Sequence, residues 1–155
     1  MCIEQFIEIS KALLTPTIAV VTTYIAYQQW KINRQKLFLD LYDRRLKVYE
    51  EVRQILGIVV RDAGASYDDL LKFRKAVSEA DFLFEPEISK YIEEIYQHGV
   101  KLQSWNKQYR DSTQPKPYGY DHQKVCEGIE TELNWLTQQF EPTKQKFKKY
   151  LNISY

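Results

Sequence analysis

Few side chains in this sequence could do acid–base, nucleophilic or metal chemistry. They are His98, His122, Cys2 and Cys126. Cys126 stands four residues after His122, a spacing that puts both on one helical face and suits a thiolate–imidazole pair. The plainer reading makes Cys126 a small core residue and His122 a helix-start residue. Two cysteines are too few for a disulfide framework or a cysteine-based zinc site, and two histidines add little to a metal centre. No Gly-rich phosphate loop, HExxH, CxxC or GxSxG occurs. Helical RNases that cut with a closely spaced Arg–His pair need an Arg just ahead of the His. His98 has none, and Arg110 precedes His122 by twelve positions, across a loop. That pair can meet only if the loop closes two helices on each other. The acidic pairs Asp68/Asp69 and Glu93/Glu94 are adjacent, and neighbours on a helix point in different directions. The expectation is a protein without catalytic residues, metal or cofactor.

Those residues need elements to position them, and composition bounds what the elements are. The 155 residues fit one domain with a small appendage. The 22 Lys and Arg against 21 Asp and Glu leave a formal charge of +1, which argues against nucleic acid held by bulk electrostatics. Tyr91, Tyr96, Trp105, Tyr109, Tyr118, Tyr120 and Trp135 could stack bases if interleaved with Lys. At helical spacing they read instead as core and core edge. Only 5 Gly and 5 Pro make a strand-and-turn architecture improbable.

A mean hydropathy of −0.52 hides one segment. Lys11 and Lys31 are charged and nothing between them is; the intervening stretch is ALLTPTIAVVTTYIAYQQW, Ala12 to Trp30. As a helix it rises about 28 Å, close to the roughly 30 Å of bilayer hydrocarbon. Tyr24, Tyr27 and Trp30 gather at its C-terminal end, where amphipathic rings favour the interface. Pro16 falls in the opening turns of the segment. Glu4 and Glu8 stand where a cleaved signal peptide would carry basic residues. The expectation is a single transmembrane helix over residues 1–30. The competing reading is a buried helix, since the stretch holds four Thr and two Gln. Lys11 alone flanks the N-terminal side, whereas Lys31, Arg34, Lys36, Arg44, Arg45 and Lys47 flank the other. That asymmetry puts the N-terminus outside and the remainder in the cytoplasm.

The faces of this helix differ. Thr15, Ala19, Thr22, Ala26 and Gln29 recur at alternating spacings of four and three, forming one small, polar stripe extended upstream by Glu8 and Ala12 and downstream by Asn33. Leu14, Ile18, Val21 and Ile25 form an aliphatic stripe beside it. A lone anchor has no use for a polar stripe; one that packs on another helix or faces water does. With no second spanning segment in the sequence, the partner is another copy or another protein. Chance placement of tolerated threonines is the bland alternative. Thr15, Ala19, Thr22, Ala26, Gln29 and Asn33 are therefore the pore-lining candidates.

Residues 31–155 read as an antiparallel helical bundle, which makes the chain all-α. Leu37, Leu41, Val48, Val52, Ile55 and Val59 continue the helix past Trp30 on one face, until Ala63-Gly64-Ala65 ends it. Ser66 with Asp69 is an N-cap and acidic first turn. A helix of about 15 residues follows, with Leu70, Leu71, Phe73 and Val77 apolar. Pro86 opens the next helix, residues 111–120 form a loop, and Asp121 or His122 opens a last helix that Pro142 must kink or split. Residues 31–53 carry seven basic against four acidic side chains, and residues 66–94 four against eight. In a head-to-tail ring these patches would meet between copies; otherwise they are two solvated faces.

The stretch TTYIAYQQWKINRQKLFLDLYDRRLKVYEEV, residues 22–52, resembles a broad group of small bacterial proteins whose N-terminal anchor runs into a helical cytoplasmic domain. An aromatic/Gln membrane exit precedes Asn-Arg, then Leu-Asp-Leu-Tyr-Asp-Arg-Arg, then Val-Tyr-Glu. Within that group the layout is similar to the accessory membrane proteins of type VI-B CRISPR systems. The resemblance implies a divergent HEPN-like domain used for assembly rather than cleavage. It also implies a ring-shaped homo-oligomeric pore in the bacterial inner membrane that supports an RNA-guided RNase in antiviral defence. The alternatives are a membrane-tethered interaction module without a pore, or a tethered HEPN-type RNase. A C-terminal reporter that fluoresces only in the cytoplasm should light up in the membrane fraction. Full-length protein recovered as a soluble species would favour the buried helix instead.

Overall fold

The structure, a computed structural model, describes residues 2–152, and for residues 2–7, 9–13 and 15 it describes the backbone alone. The described residues fold into six helices and no strands: α1 (Cys2–Asp62), α2 (Tyr67–Ala76), α3 (Ala80–Leu83), α4 (Pro86–Gln108), α5 (His122–Thr137) and α6 (Phe140–Leu151). The chain divides into two compact units, residues 1–41 and 42–155. The all-α expectation holds. Among the described residues, no helix is long and apolar enough to cross a membrane. Residues 12, 13 and 15 of the expected span lie outside the residues whose side chains are described. Pro16 lies inside α1 rather than in its opening turns, so the helix forgoes one backbone hydrogen bond there.

Within residues 42–155 the core is built on one face of α1, and that face starts later than the periodicity suggests. Val48, Val52, Ile55, Leu56 and Val59 are buried, whereas Leu37 is 70% exposed. The helix stops where Ala63 takes a left-handed backbone, φ 50°. The end falls within the expected Ala63-Gly64-Ala65 stretch, whose glycine does not take the left-handed turn. Its close neighbour explains the glycine instead: a Cβ at 64 would stand 2.6 Å from the Asn106 amide nitrogen, which donates to the Ala63 carbonyl at 3.3 Å.

Ser66 caps α2 as its spacing with Asp69 predicts. Its hydroxyl accepts the Asp69 N–H at 3.1 Å, and the Asp69 carboxylate accepts the Ser66 N–H at 3.2 Å. Serving as the acceptor of the Ser66 hydroxyl holds the Asp69 carboxyl below the usual carboxylate range. The helix is shorter than expected, because Val77 leaves it and a turn leads into α3. Leu70 and Phe73 are buried, but Leu71 is exposed.

Pro86 occupies the first turn of α4. Ile88, Tyr91, Ile92, Ile95 and Leu102 bury its inner face. Pro142 splits the last helix as expected. Its ring cannot coexist with a helical carbonyl four residues back, so α5 ends at Thr137 and α6 opens at Phe140. Phe147 closes the core beneath Phe84 and Tyr49, at ring separations of 5.2 and 5.5 Å. Tyr91 bonds the fully buried Thr143 at 2.8 Å, and burial pushes its hydroxyl above the ordinary tyrosine range.

Ala63 supplies a test of the helix end. A left-handed alanine is disfavoured by about 1 kcal/mol relative to glycine, and glycine's looser unfolded chain offsets part of that. Ala63→Gly should leave stability unchanged or raise it by up to about 1 kcal/mol in urea unfolding. A loss beyond about 1 kcal/mol, the usual penalty of glycine in a helix, would show that residue 63 is helical in solution.

Candidate functional site

Residues 14–40 carry the surface that the sequence singles out. Ala19, Thr22, Ala26, Gln29 and Asn33 are all exposed, as are Leu14, Ile18, Val21 and Ile25 of the aliphatic stripe. The Thr15 side chain lies outside the described residues. Neither stripe is covered by the described chain, so α1 presents a two-faced apolar and small/polar surface to whatever surrounds it.

The polar atoms of that surface are not equivalent. The Thr22 hydroxyl lies 2.9 Å from the Ile18 carbonyl and 3.0 Å from that of Ala19. The Thr23 hydroxyl donates to the Ala19 carbonyl at 2.8 Å, and the Gln28 amide to the Tyr24 hydroxyl at 2.9 Å. These bonds satisfy the donors within the helix, which weakens the expectation that they must seek a partner or water. The stripe's demand for an outside partner therefore falls on Gln29 and Asn33.

Past the stripe, Tyr27 and Trp30 stack at 6.2 Å, and the Arg34 guanidinium lies 5.5 Å over the Trp30 ring. All three are exposed. Rings held beside a guanidinium are the chemistry of a boundary between apolar and aqueous surroundings.

A second cluster forms where the loop 109–121 joins α4 to α5. Arg110 and His122 are joined through Tyr120 rather than side chain to side chain. The Arg110 guanidinium donates to the carbonyls of Lys107 and Tyr109 at 2.7 and 2.8 Å, capping the end of α4. Its backbone N–H donates to the Tyr120 hydroxyl at 3.0 Å, which in turn meets His122 Nδ1 at 3.2 Å. His122 Nε2 lies 3.5 Å from the Cys126 sulfur, so the four-residue spacing does bring the pair together, and Cys126 is half-buried rather than the core residue of the plainer reading. The Arg110 fork is engaged by carbonyls and is not presented to a phosphate. Among the described residues no group of His, Cys, Asp and Glu is arranged to hold a metal.

The sequence left His98 without an assigned role. Its ring stacks on Trp135 at 3.7 Å and 15°, and its Nδ1 bonds the Glu132 carboxylate. The His98 and Glu132 side chains are only 25% and 12% exposed, so the pair is a tie between α4 and α5. The signal was legible only in part: Glu132 and Trp135 lie three apart on one helical face, but their register with His98 needs the fold. His98→Ala should lower unfolding stability by about 1–3 kcal/mol, because it strands a mostly buried carboxylate. His122→Ala should shift it by less than about 0.5 kcal/mol. Equal effects in urea unfolding would refute this division of roles. No family model matches the chain, and neither a curated protein nor a solved structure matches it.

Proposed function

We propose that the chain is a homo-oligomeric pore of the bacterial inner membrane, acting as an accessory to RNA-guided antiviral defence. The helices around Ala12–Trp30 would line the channel, with a HEPN-like cytoplasmic bundle formed by the rest. The observation that carries the reading is the uncovered α1 surface, aliphatic on one stripe and small and polar on the next, ending in the Tyr27–Trp30–Arg34 group. Limited apolarity fits a ring better than a lone anchor. In a ring each helix turns its threonines, glutamine and alanines toward its neighbours or the lumen, and only the aliphatic stripe meets lipid. The type VI-B resemblance of residues 22–52 supplies the biological setting. No catalytic residues, cofactor or direct nucleic-acid contact is part of the proposal.

One observation favours a second reading, a membrane-tethered interaction module without a channel. The Thr22 and Thr23 hydroxyls are bonded back onto their own helix, as a packed interface of small residues would tolerate.

Dye release from vesicles separates the two. Thr22→Leu puts a bulky apolar side chain on the polar stripe and raises the hydropathy of the segment. It should cut release by about tenfold or more by narrowing or dewetting the lumen, with insertion intact. Ile25→Leu, on the aliphatic stripe, should leave release within about twofold. If both variants behave alike, the stripe has no special face and the channel reading fails.

A further inference from the structure

Two lysines of the C-terminal helix find acids. Lys146 meets Glu87 at 2.8 Å and Lys149 meets Glu85 at 2.9 Å, and these contacts hold both carboxyls below the usual range. One groove gathers cations from two helices. It runs between α1 and α2, has a volume of about 510 Å³, and is lined by Arg44 and Lys47 from α1 and by Lys72 and Lys75 from α2. Glu79 is the one acidic residue on its wall, and it lies 3.5 Å from Arg44. Four cations thus share the wall with one carboxylate.

The spacing makes this a built feature of two helices. Arg44 and Lys47 are three residues apart on α1, and Lys72 and Lys75 are three apart on α2, so each pair shares a helix face. Like charges on one face repel, and two such faces across a groove repel further. Val48, buried in the core, anchors the α1 wall, so the helix cannot turn its cations away without uncovering the core. Asp69, the acid nearest in sequence to Lys72, caps α2 through Ser66 and also feels the Lys72 charge.

We propose that this groove binds a compact polyanion carrying neighbouring phosphate groups. Lys ammonium groups act as point charges for phosphate, and an Arg fork can take two of its oxygens. A single carboxylate could engage only part of a wall that carries four cations. A volume of about 510 Å³ falls among ordinary ligand sites, but no aromatic ring lines it to stack a nucleobase. The Ser78 hydroxyl, also on the wall, adds a neutral donor. The phosphates can come from a soluble polyphosphate or from the phosphomonoester headgroup of a lipid; the groove chemistry is the same for both. The site lies wholly within residues 42–155 and stands whether or not the chain forms a pore.

The test is calorimetric titration of the full chain in detergent. One arm uses inorganic tripolyphosphate, the other dihexanoyl phosphatidic acid below its micelle concentration. Lys47→Gln with Lys75→Gln should weaken binding by about tenfold or more. Lys90→Gln with Lys101→Gln removes the same charge from α4 and should stay within about twofold. Circular dichroism confirms that both variants keep their helices. With that variant pattern, binding of tripolyphosphate alone assigns a soluble source, binding of the lipid alone assigns a headgroup, and binding of both assigns the phosphate groups however presented. Failure of both probes to bind, or equal weakening in the two double variants, overturns the proposal.

Discussion

Helix α4 must accept neighbours on several sides, and the rest of residues 42–155 depends on how closely they approach. Its closest seam is with α5. There the Trp105 ring occupies the space that a side chain at Gly128 would fill; a Cβ would stand 2.5 Å from its Cε2 atom. A rigid indole cannot yield as a flexible chain end would, so only glycine lets the helices close. The contact at Gly99 is softer, since a Cβ there would fall 2.7 Å from a terminal methyl carbon of Leu70 on α2. With those approaches set, the polar ties fall into register: His98 to Glu132 along the α4–α5 seam and Tyr91 to Thr143 toward α6. Each of these polar groups is affordable in a low-dielectric seam only because its partner is in reach.

Features that a few adjacent residues decide were readable from the sequence. The Ser66–Asp69 box, the Pro86 start and the Pro142 break each follow from local sterics or from one donor meeting one acceptor. Features that depend on where the core ends were not. Periodicity carries Leu37 and Val48 on one face alike, yet Val48 is 2% exposed and Leu37 is 70%. Leu71 fits the α2 pattern and is still exposed. Arg45 reads as one more flanking cation, but its guanidinium donates to the Leu83 carbonyl at 3.0 Å and lies over the Tyr150 ring. Its long stem lets a charged residue serve the core edge, and no local pattern announces that.

For the candidate site the split runs the other way. Which residues share the stripe was legible, since helical spacing alone fixes it. What their polar atoms do was not. A threonine in a helix can donate to a carbonyl three or four residues back, and Thr22 and Thr23 both do. The same hydroxyl that looks like a demand for water in the sequence is met by its own backbone. The Cys126–His122 contact shows the opposite case. The four-residue spacing foretold it, but the hydroxyl of Tyr120 that bridges it to the Arg110 backbone comes from the intervening loop.

The charge pattern leads to a further consequence for assembly. The basic residues 31–53 and acidic residues 66–94 suggested attraction between successive copies in a ring. Part of the acidic patch is met within one chain: Glu79 meets Arg44, Glu85 meets Lys149 and Glu87 meets Lys146. These pairs are exposed and individually weak, yet each takes an acid from the patch that a neighbour would need. These contacts weaken the charge attraction that successive copies could feel without removing it. Apart from the basic groove between α1 and α2, what remains unmet is the exposed length of α1, where both stripes lack a covering element. Assembly driven from there would be set by close packing of small residues and by lipid, and only weakly by salt. That ordering of forces follows from which side chains of this sequence already have partners.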